Sequence, residues 1–341
     1  MQNIDWQNLP FGYLKTKINI RCSFKNGAWG DLRVEESEEI NLHMASTCLH
    51  YGQAFFEGLK AFRGQDGQIR IFRPDENAKR FNSSARGILM PEIPENLFIE
   101  AVRQAVSLNQ EFVPPYGTGA SLYIRPFMIG VGAQLGLQPA SEFEFIVFVS
   151  PVGPYFKNGF KPVEVMIDRE HDRVAPLGTG KIKVAGNYAA TMLPLRKAVD
   201  NGYASVLFLD PLEKKYIDEC GPANFFAIKD NTYITPESAT ILSSITNLSI
   251  RQIAGDLGLK VEQRKVAVEE LADFDEVGAC GTAAIITPIK KIVDIDVNKA
   301  YEYCANGEPG PVTTKIYERY QAIQTGDAED VYGWNLLVES L

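Results

Sequence analysis

Lys181-Ile182-Lys183-Val184-Ala185-Gly186-Asn187-Tyr188 is the stretch whose reading decides what this chain is. It sets two lysines among Ile182, Val184, Ala185 and Gly186, and the glycine allows backbone to come close to a ligand. A lysine with apolar neighbours gives up its proton more readily, and can then attack a carbonyl carbon to form a Schiff base. The alternative is a surface strand with two solvated lysines, the commoner situation for that residue. Spacing alone does not choose between the two lysines, because positions two apart share one strand face. Just upstream, Gly178-Thr179-Gly180-Lys181 looks like the end of a nucleotide phosphate loop. Its frame is missing: Ala175 stands where the first glycine belongs, and Ile182 where Ser or Thr should follow the lysine. Gly130-Val131-Gly132 is likewise left incomplete by Leu135.

Three later stretches carry related chemistry. In Ile217-Asp218-Glu219-Cys220-Gly221-Pro222-Ala223-Asn224 a carboxylate leaves a strand and enters a tight turn, where it is either an ordinary strand-end acid or a partner for a pyridine nitrogen. Ser243-Ser244-Ile245-Thr246-Asn247 opens a helix with a stripe at Ile250, Ile253, Ala254 and Leu257. Amides at a helix start attract an anion such as phosphate, although Ser, Thr and Asn there also suit a plain cap. Cys280-Gly281-Thr282-Ala283-Ala284 reads as a small-residue turn between strands, or as a bulge.

The rest of the chain bounds these readings. Its 341 residues favour two domains over one. Apolar residues make up 45% and charged residues 23%, an ordinary soluble composition. No apolar run is long enough to span a bilayer, and Met1 to Pro10, with Asp5, lacks the basic and apolar parts of a signal peptide. A cytoplasmic protein with no membrane partner is expected. Five scattered cysteines without a CxxC pair and three dispersed histidines argue against disulfides and against a metal site. A net charge of −9 without a basic tract sets nucleic acid aside.

Asp66-Gly67 between Ala61–Arg63 and Gln68–Phe72 signals a hairpin. Leu97, Ala101, Ala105, Leu108 and Phe112 predict a helix after Pro94. Strands are expected at Ser121–Ile129, Glu144–Val149, Pro162–Ile167, Ala204–Leu209 and Ala223–Ile228. Pro151–Phe160, with two prolines and two glycines, suits a linker. The division expected is therefore a small amino-terminal α/β domain at 1–150, an interdomain loop at 151–160 and a large cofactor-binding domain at 161–341. Strands mixed irregularly with helices make the fold class α+β.

Taken in order, these segments resemble the branched-chain aminotransferases, within the fold type IV class of pyridoxal-phosphate enzymes that also holds the D-amino-acid aminotransferases and aminodeoxychorismate lyase. The resemblance begins at Leu49-His50-Tyr51-Gly52-Gln53-Ala54-Phe55-Phe56-Glu57-Gly58-Leu59-Lys60-Ala61-Phe62, passes through Leu122-Tyr123-Ile124-Arg125-Pro126, and takes in Lys183 with Tyr188 five residues on. It implies a two-domain, D-amino-acid-aminotransferase-like fold and pyridoxal 5'-phosphate as cofactor. It implies Lys183, not Lys181, as the Schiff-base and proton-transferring lysine, with a pKa lowered by burial. Tyr188 would bond the cofactor's ring hydroxyl and Glu219 its pyridine nitrogen. Arg80, the amides of Ile245 and Thr246, and the Thr282 hydroxyl would hold its phosphate.

Phe56, Tyr51, Tyr123 and Tyr155 would wall the substrate pocket, and Arg125 would take the distal carboxylate of glutamate. The Thr282-Ala283 amides, with Tyr51, would take the α-carboxylate. The implied reaction is a ping-pong transfer of the amino group of L-leucine, L-isoleucine or L-valine to 2-oxoglutarate, in a homodimer whose Tyr51 segment completes the partner's site. The alternatives are a D-amino-acid aminotransferase, an aminodeoxychorismate lyase or a pyridoxal-phosphate-binding protein without turnover. Two departures from the pattern stand out. Pro222 replaces the Gly or Thr of many relatives, and Ala284 and Thr287 stand where mammalian relatives have a CxxC pair, so no thiol switch of that kind is expected.

Overall fold

The computed structural model describes residues 4–155 and 159–339. It divides into two compact units: Met1–Lys157 with Ile182–Ala185 and Ala322–Leu341, and Asn158–Lys181 with Gly186–Gln321. The first unit takes up two segments from late in the chain, which a division by chain position does not anticipate.

Among the described residues of the first unit, nine strands form one sheet. They are β1 (Asn19–Lys25), β2 (Ala28–Trp29), β3 (Arg33–Glu35), β4 (Ala54–Phe56), β5 (Leu59–Arg63), β6 (Ile69–Phe72), β7 (Ser121–Val131), β8 (Glu142–Val152) and a late strand, Asn335–Val338. The Asp66-Gly67 hairpin joins β5 to β6, with Gly67 at φ +78° where a side chain would be strained. The late strand pairs antiparallel with β6. Along β7, Leu122, Ile124 and Met128 are buried on one face, while Tyr123, Arg125 and Phe127 point to the other.

Pro126 has no N–H for a ladder, and the neighbouring strand breaks beside it. β5 pairs with residues 122–124 and β4 with 127–129, and the turn linking them donates the Glu57 N–H to Pro126 O at 2.7 Å. Helices cover the buried face. Helix α1 (Thr47–His50) is a single turn, whereas α2 (Pro74–Gly87) starts with proline, Asp75 and Glu76 and ends near Arg86, in keeping with the helix dipole. Helix α3 (Glu95–Ser107) buries Phe98, Ala101, Val102, Ala105 and Val106. The expected stripe shared Ala101 and Ala105, but Leu97, Leu108 and Phe112 are only partly buried. The helix carries two overlapping apolar series, and packing on the sheet selects the one that includes Phe98.

The second unit is built on β9 (Val163–Asp168), β10 (Ser205–Leu209), β11 (Ile217–Cys220), β12 (Ala223–Lys229), β13 (Thr232–Pro236), β14 (Lys260–Arg264), β15 (Glu276–Gly281), β16 (Ile285–Asp294) and β17 (Lys299–Glu302). The order β11-β10-β9-β16-β15-β12 closes on itself through the β11–β12 pairing, so these strands form a ring around Val165, Ile167, Leu207, Phe225, Val277, Ile289 and Ile292. Its helices are α4 (Ala185–Asp200), of which Ala185 clusters with the first unit, α5 (Ile245–Asp256) and α6 (Pro311–Thr325), whose residues from Ala322 on cluster with the first unit. The expected strands agree with β7 to β10 and β12 to within a few residues. Pro151 and Val152 close β8, and residues 156–158 lie outside the described residues. No helix among the described residues is long and apolar enough to cross a membrane.

Candidate active site

Lys183 is held through its backbone on both sides. Its N–H donates to Ser84 Oγ at 2.9 Å, and its carbonyl accepts from the Phe56 N–H at 3.3 Å. Val184 then forms a bridge with Phe55. Gly87 gives Ile182 its room, since a Cβ there would run into the isoleucine side chain. The segment is a pinned loop leading into α4, and not the strand that the two lysines first suggest. Lys181 is exposed, whereas Lys183 is half-buried with its Nζ 4.9 Å from the centre of the Phe56 ring. The two lysines therefore differ in surroundings in a way that their spacing could not reveal.

From Phe56 a run of contacts continues through the first unit. The Arg125 guanidinium lies 4.6 Å from the Phe56 ring centre and 5.2 Å from that of Tyr123, and its Nη2 donates to the Tyr123 hydroxyl at 3.1 Å. Arg125 Nε is buried without a hydrogen-bond acceptor among the described residues, an arrangement that suits an incoming carboxylate. Gly58 is required beside it, because a Cβ would strike the Tyr123 hydroxyl. Phe11 packs edge-on against both Tyr123 (5.5 Å) and Tyr155 (5.1 Å). Tyr51 stands elsewhere, after α1, where its hydroxyl donates to Leu135 O.

Arg80 rises from α2 one turn before Ser84, so a single helix face carries both the guanidinium and the hydroxyl that holds Lys183. Its Nε and Nη2 each donate to Glu57 at 2.7 Å.

In the second unit Asn187 clasps the preceding turn. It accepts from Thr179 Oγ1 at 2.6 Å and donates to Thr179 O at 2.8 Å, which fixes the start of α4 and with it Tyr188. Glu219 lies within β11, one residue before the strand end at which it was expected. Its Oε1 accepts from the Leu242 N–H at 2.7 Å, and Arg173 Nη2 is 3.5 Å away. Arg173 is itself buried and donates to the carbonyls of Gly180 and Thr240. The neighbouring Asp218 is raised above the usual carboxylate range by burial, against the pull of the Thr240 and Ser238 hydroxyls.

Helix α5 begins at Ile245, capped by Ser244, whose Oγ accepts from Asn247 N. The amides of Ile245 and Thr246 precede that bond and have no acceptor within the helix. Asn247 ties this end down: Tyr233 donates to it at 3.0 Å, and its Nδ2 donates to Asn224 and Thr235. Thr282 and Ala283 form the turn between β15 and β16. Cys220 and Cys280 are buried, and burial pushes both thiols up to about 12, so neither serves as a thiolate near neutral pH.

Sequence reasoning missed four residues that hold others in place: Phe11, Glu57, Ser84 and Arg173. Nothing in their local spacing marks them.

The chain matches the family model for amino-transferase class IV over residues 54–292. It is 47% identical over 337 residues to a branched-chain-amino-acid aminotransferase of Helicobacter pylori (strain J99 / ATCC 700824), covering 98% of each chain. Among solved structures it is similar to an Escherichia coli branched-chain amino acid aminotransferase, with a TM-score of 0.81, 27% identity and coverage of 95% of this chain and 100% of that one. It is also similar to the branched-chain amino acid aminotransferase from Thermobaculum terrenum in its PLP-form, with a TM-score of 0.78, 26% identity and coverage of 95% and 99%.

Proposed function

The chain belongs to the class IV aminotransferases, and from that premise we propose that it transfers the amino group of L-leucine, L-isoleucine or L-valine to 2-oxoglutarate, with pyridoxal 5'-phosphate as cofactor. The observation that carries this reading is 47% identity spread over 98% of both chains. The fold belongs to the α+β class expected, that of fold type IV.

The residue roles are our proposal, and the residues fit the group in each unit. The first supplies an amine at Lys183 and a guanidinium at Arg80; the second supplies a buried carboxylate at Glu219 and helix-start amides at Ile245 and Thr246. When bound, the cofactor supplies an aldehyde that exchanges amines and a ring that draws electrons from the substrate's α-carbon. Lys183 would hold the cofactor through its Nζ and, once free, would be the amine that moves the substrate's α-proton. The pinned backbone of Lys183 fixes the point from which that side chain reaches. Glu219, oriented by the Leu242 N–H and Arg173, would hold the pyridine nitrogen, and Tyr188 would hold the ring hydroxyl. Arg80, the two amides and the Thr282 hydroxyl take the phosphate. Phe56, Tyr123 and Tyr155 exclude water from the alkyl group, and Phe11 joins them through its two ring contacts. Arg125 would take the distal carboxylate and the Thr282-Ala283 amides the α-carboxylate, with Tyr51 contributed by the other copy of the homodimer.

The domain limits 1–150, 151–160 and 161–341, a homodimer completed through the Tyr51 segment, and a cytoplasmic location belong to the same proposal. The exposure of Tyr51 supports the second of these.

The test is a visible spectrum of the purified protein during addition of L-leucine and then 2-oxoglutarate. The aldehyde form should convert to the amine form and back, and Lys183→Ala should abolish both steps. A response to D-alanine with none to L-leucine would move the chain to the D-amino-acid branch of the class.

A further inference from the structure

Glu57 has no exposed side-chain surface, and a carboxylate is expensive to bury unless its oxygens are filled. Four donors fill them. Arg80 Nε reaches Oε1 at 2.7 Å, while Oε2 accepts from Arg80 Nη2 (2.7 Å), Asn77 Nδ2 (2.6 Å) and the Gly58 N–H (3.2 Å). The turn that carries Glu57 is equally constrained, since its own N–H donates to Pro126 O and that of Phe56 to Lys183 O.

A two-point bond between a guanidinium and a carboxylate fixes the plane of the guanidinium as well as its position. We propose that Glu57 is a positioning residue for the cofactor phosphate: by taking the Nε–Nη2 edge of Arg80 it aims the Nη1 side of that planar group. The proposal rests on the reading of Arg80 as a phosphate ligand. Glu57 itself touches no cofactor atom in this scheme. It also makes the pair neutral, so the arginine acts on the phosphate through directed N–H donors and not through net charge.

The chemistry of Glu57→Gln decides the sign of the expected effect. Every oxygen of Glu57 faces a donor, so the new NH2 must oppose one wherever it is placed. Replacing Oε2 sets it against three donors and replacing Oε1 against one, so the latter is favoured. It then faces Arg80 Nε, and the guanidinium swings away. The variant gains one unit of positive charge yet should bind phosphate less well, because orientation is lost.

The full-length chain, freed of cofactor, is titrated with pyridoxal 5'-phosphate and separately with pyridoxal, which lacks the phosphate. For Glu57→Gln the affinity for pyridoxal 5'-phosphate should fall about tenfold or more, the usual range for a lost charged hydrogen bond, while that for pyridoxal changes little. Arg80→Gln should show the same selective loss, and the double variant should be no worse than Arg80→Gln alone, since the two residues act as one unit. Glu57→Asp, which is shorter but keeps the charge, should be intermediate and serves if the glutamine variant does not fold. Equal loss of both ligands would make Glu57 merely structural, and tighter binding of pyridoxal 5'-phosphate would make it merely a counter-charge; either overturns the proposal. If Arg80→Gln shows no selectivity between the ligands, the phosphate role of Arg80 is wrong and the proposal falls with it. Selectivity for Arg80→Gln without any for Glu57→Gln defeats the positioning role alone.

Discussion

Lys60 shows how one buried side chain leaves a mark on the whole protein. It stands on β5 opposite Tyr123, almost entirely out of solvent, and burial pushes its amine down from 10.5 to about 8. A base whose folded value lies below its unfolded one disfavours folding while it is charged. Between pH 8 and 10.5 the unfolded chain holds the proton that the folded chain has released, so stability should rise with pH across that window. Urea midpoints at several pH values check this, and Lys60→Met should remove the rise. Lys60 and Arg125, both beside Tyr123, thus carry different burdens: Lys60 is desolvated, whereas Arg125 rests on two aromatic faces, gives Nη2 to the Tyr123 hydroxyl and keeps its Nε–H for an acceptor. Neither difference follows from residue type alone.

At the scale of elements, the start of α5 is tied down by a buried polar network. Asn247 joins the helix to β12 through Asn224 and to β13 through Tyr233 and Thr235. Asn247→Ala would leave Tyr233 and Asn224 short of a partner, at a cost of roughly 1–3 kcal/mol. Chemical denaturation measures that loss, and an unchanged midpoint would show the network to be dispensable. A helix start within Ser243–Asn247 was legible from the capping residue types and the apolar stripe, because caps and periodicity are local, and the structure sets it at Ile245. On α3 the stripe was read one position away from Phe98, since two overlapping apolar series fit the period and only the sheet beneath chooses. The surface strand that is the alternative for Lys183 gives way to a loop, whose Lys183 N–H is held by Ser84, 99 residues earlier.

For the whole molecule, the decisive feature is that the chain returns to the first unit at its end. Asn335–Val338 extends the sheet beyond β6, Trp334 stacks on Arg73, and Ser107 donates to Glu339 O. A chain cut after Thr325 would expose the edge of β6 and the site of Trp334. It should aggregate or melt well below the full-length protein in a thermal scan; if it does neither, this strand is an ornament. What the sequence by itself determined is the chemistry on offer: the amine of Lys183, the carboxylate of Glu219 and the guanidinium of Arg80 lie in motifs recognisable residue by residue. It also determined that Tyr123 and Arg125 share a strand face, a consequence of the two-residue period. Only the tertiary structure decided that Glu57 grips Arg80, that Arg173 lies beside Glu219, and that Phe11 reaches Tyr123 and Tyr155. Those pairs are separated by tens of residues or more, and their partners are chosen by sheet register and packing. Local pattern carries no record of either.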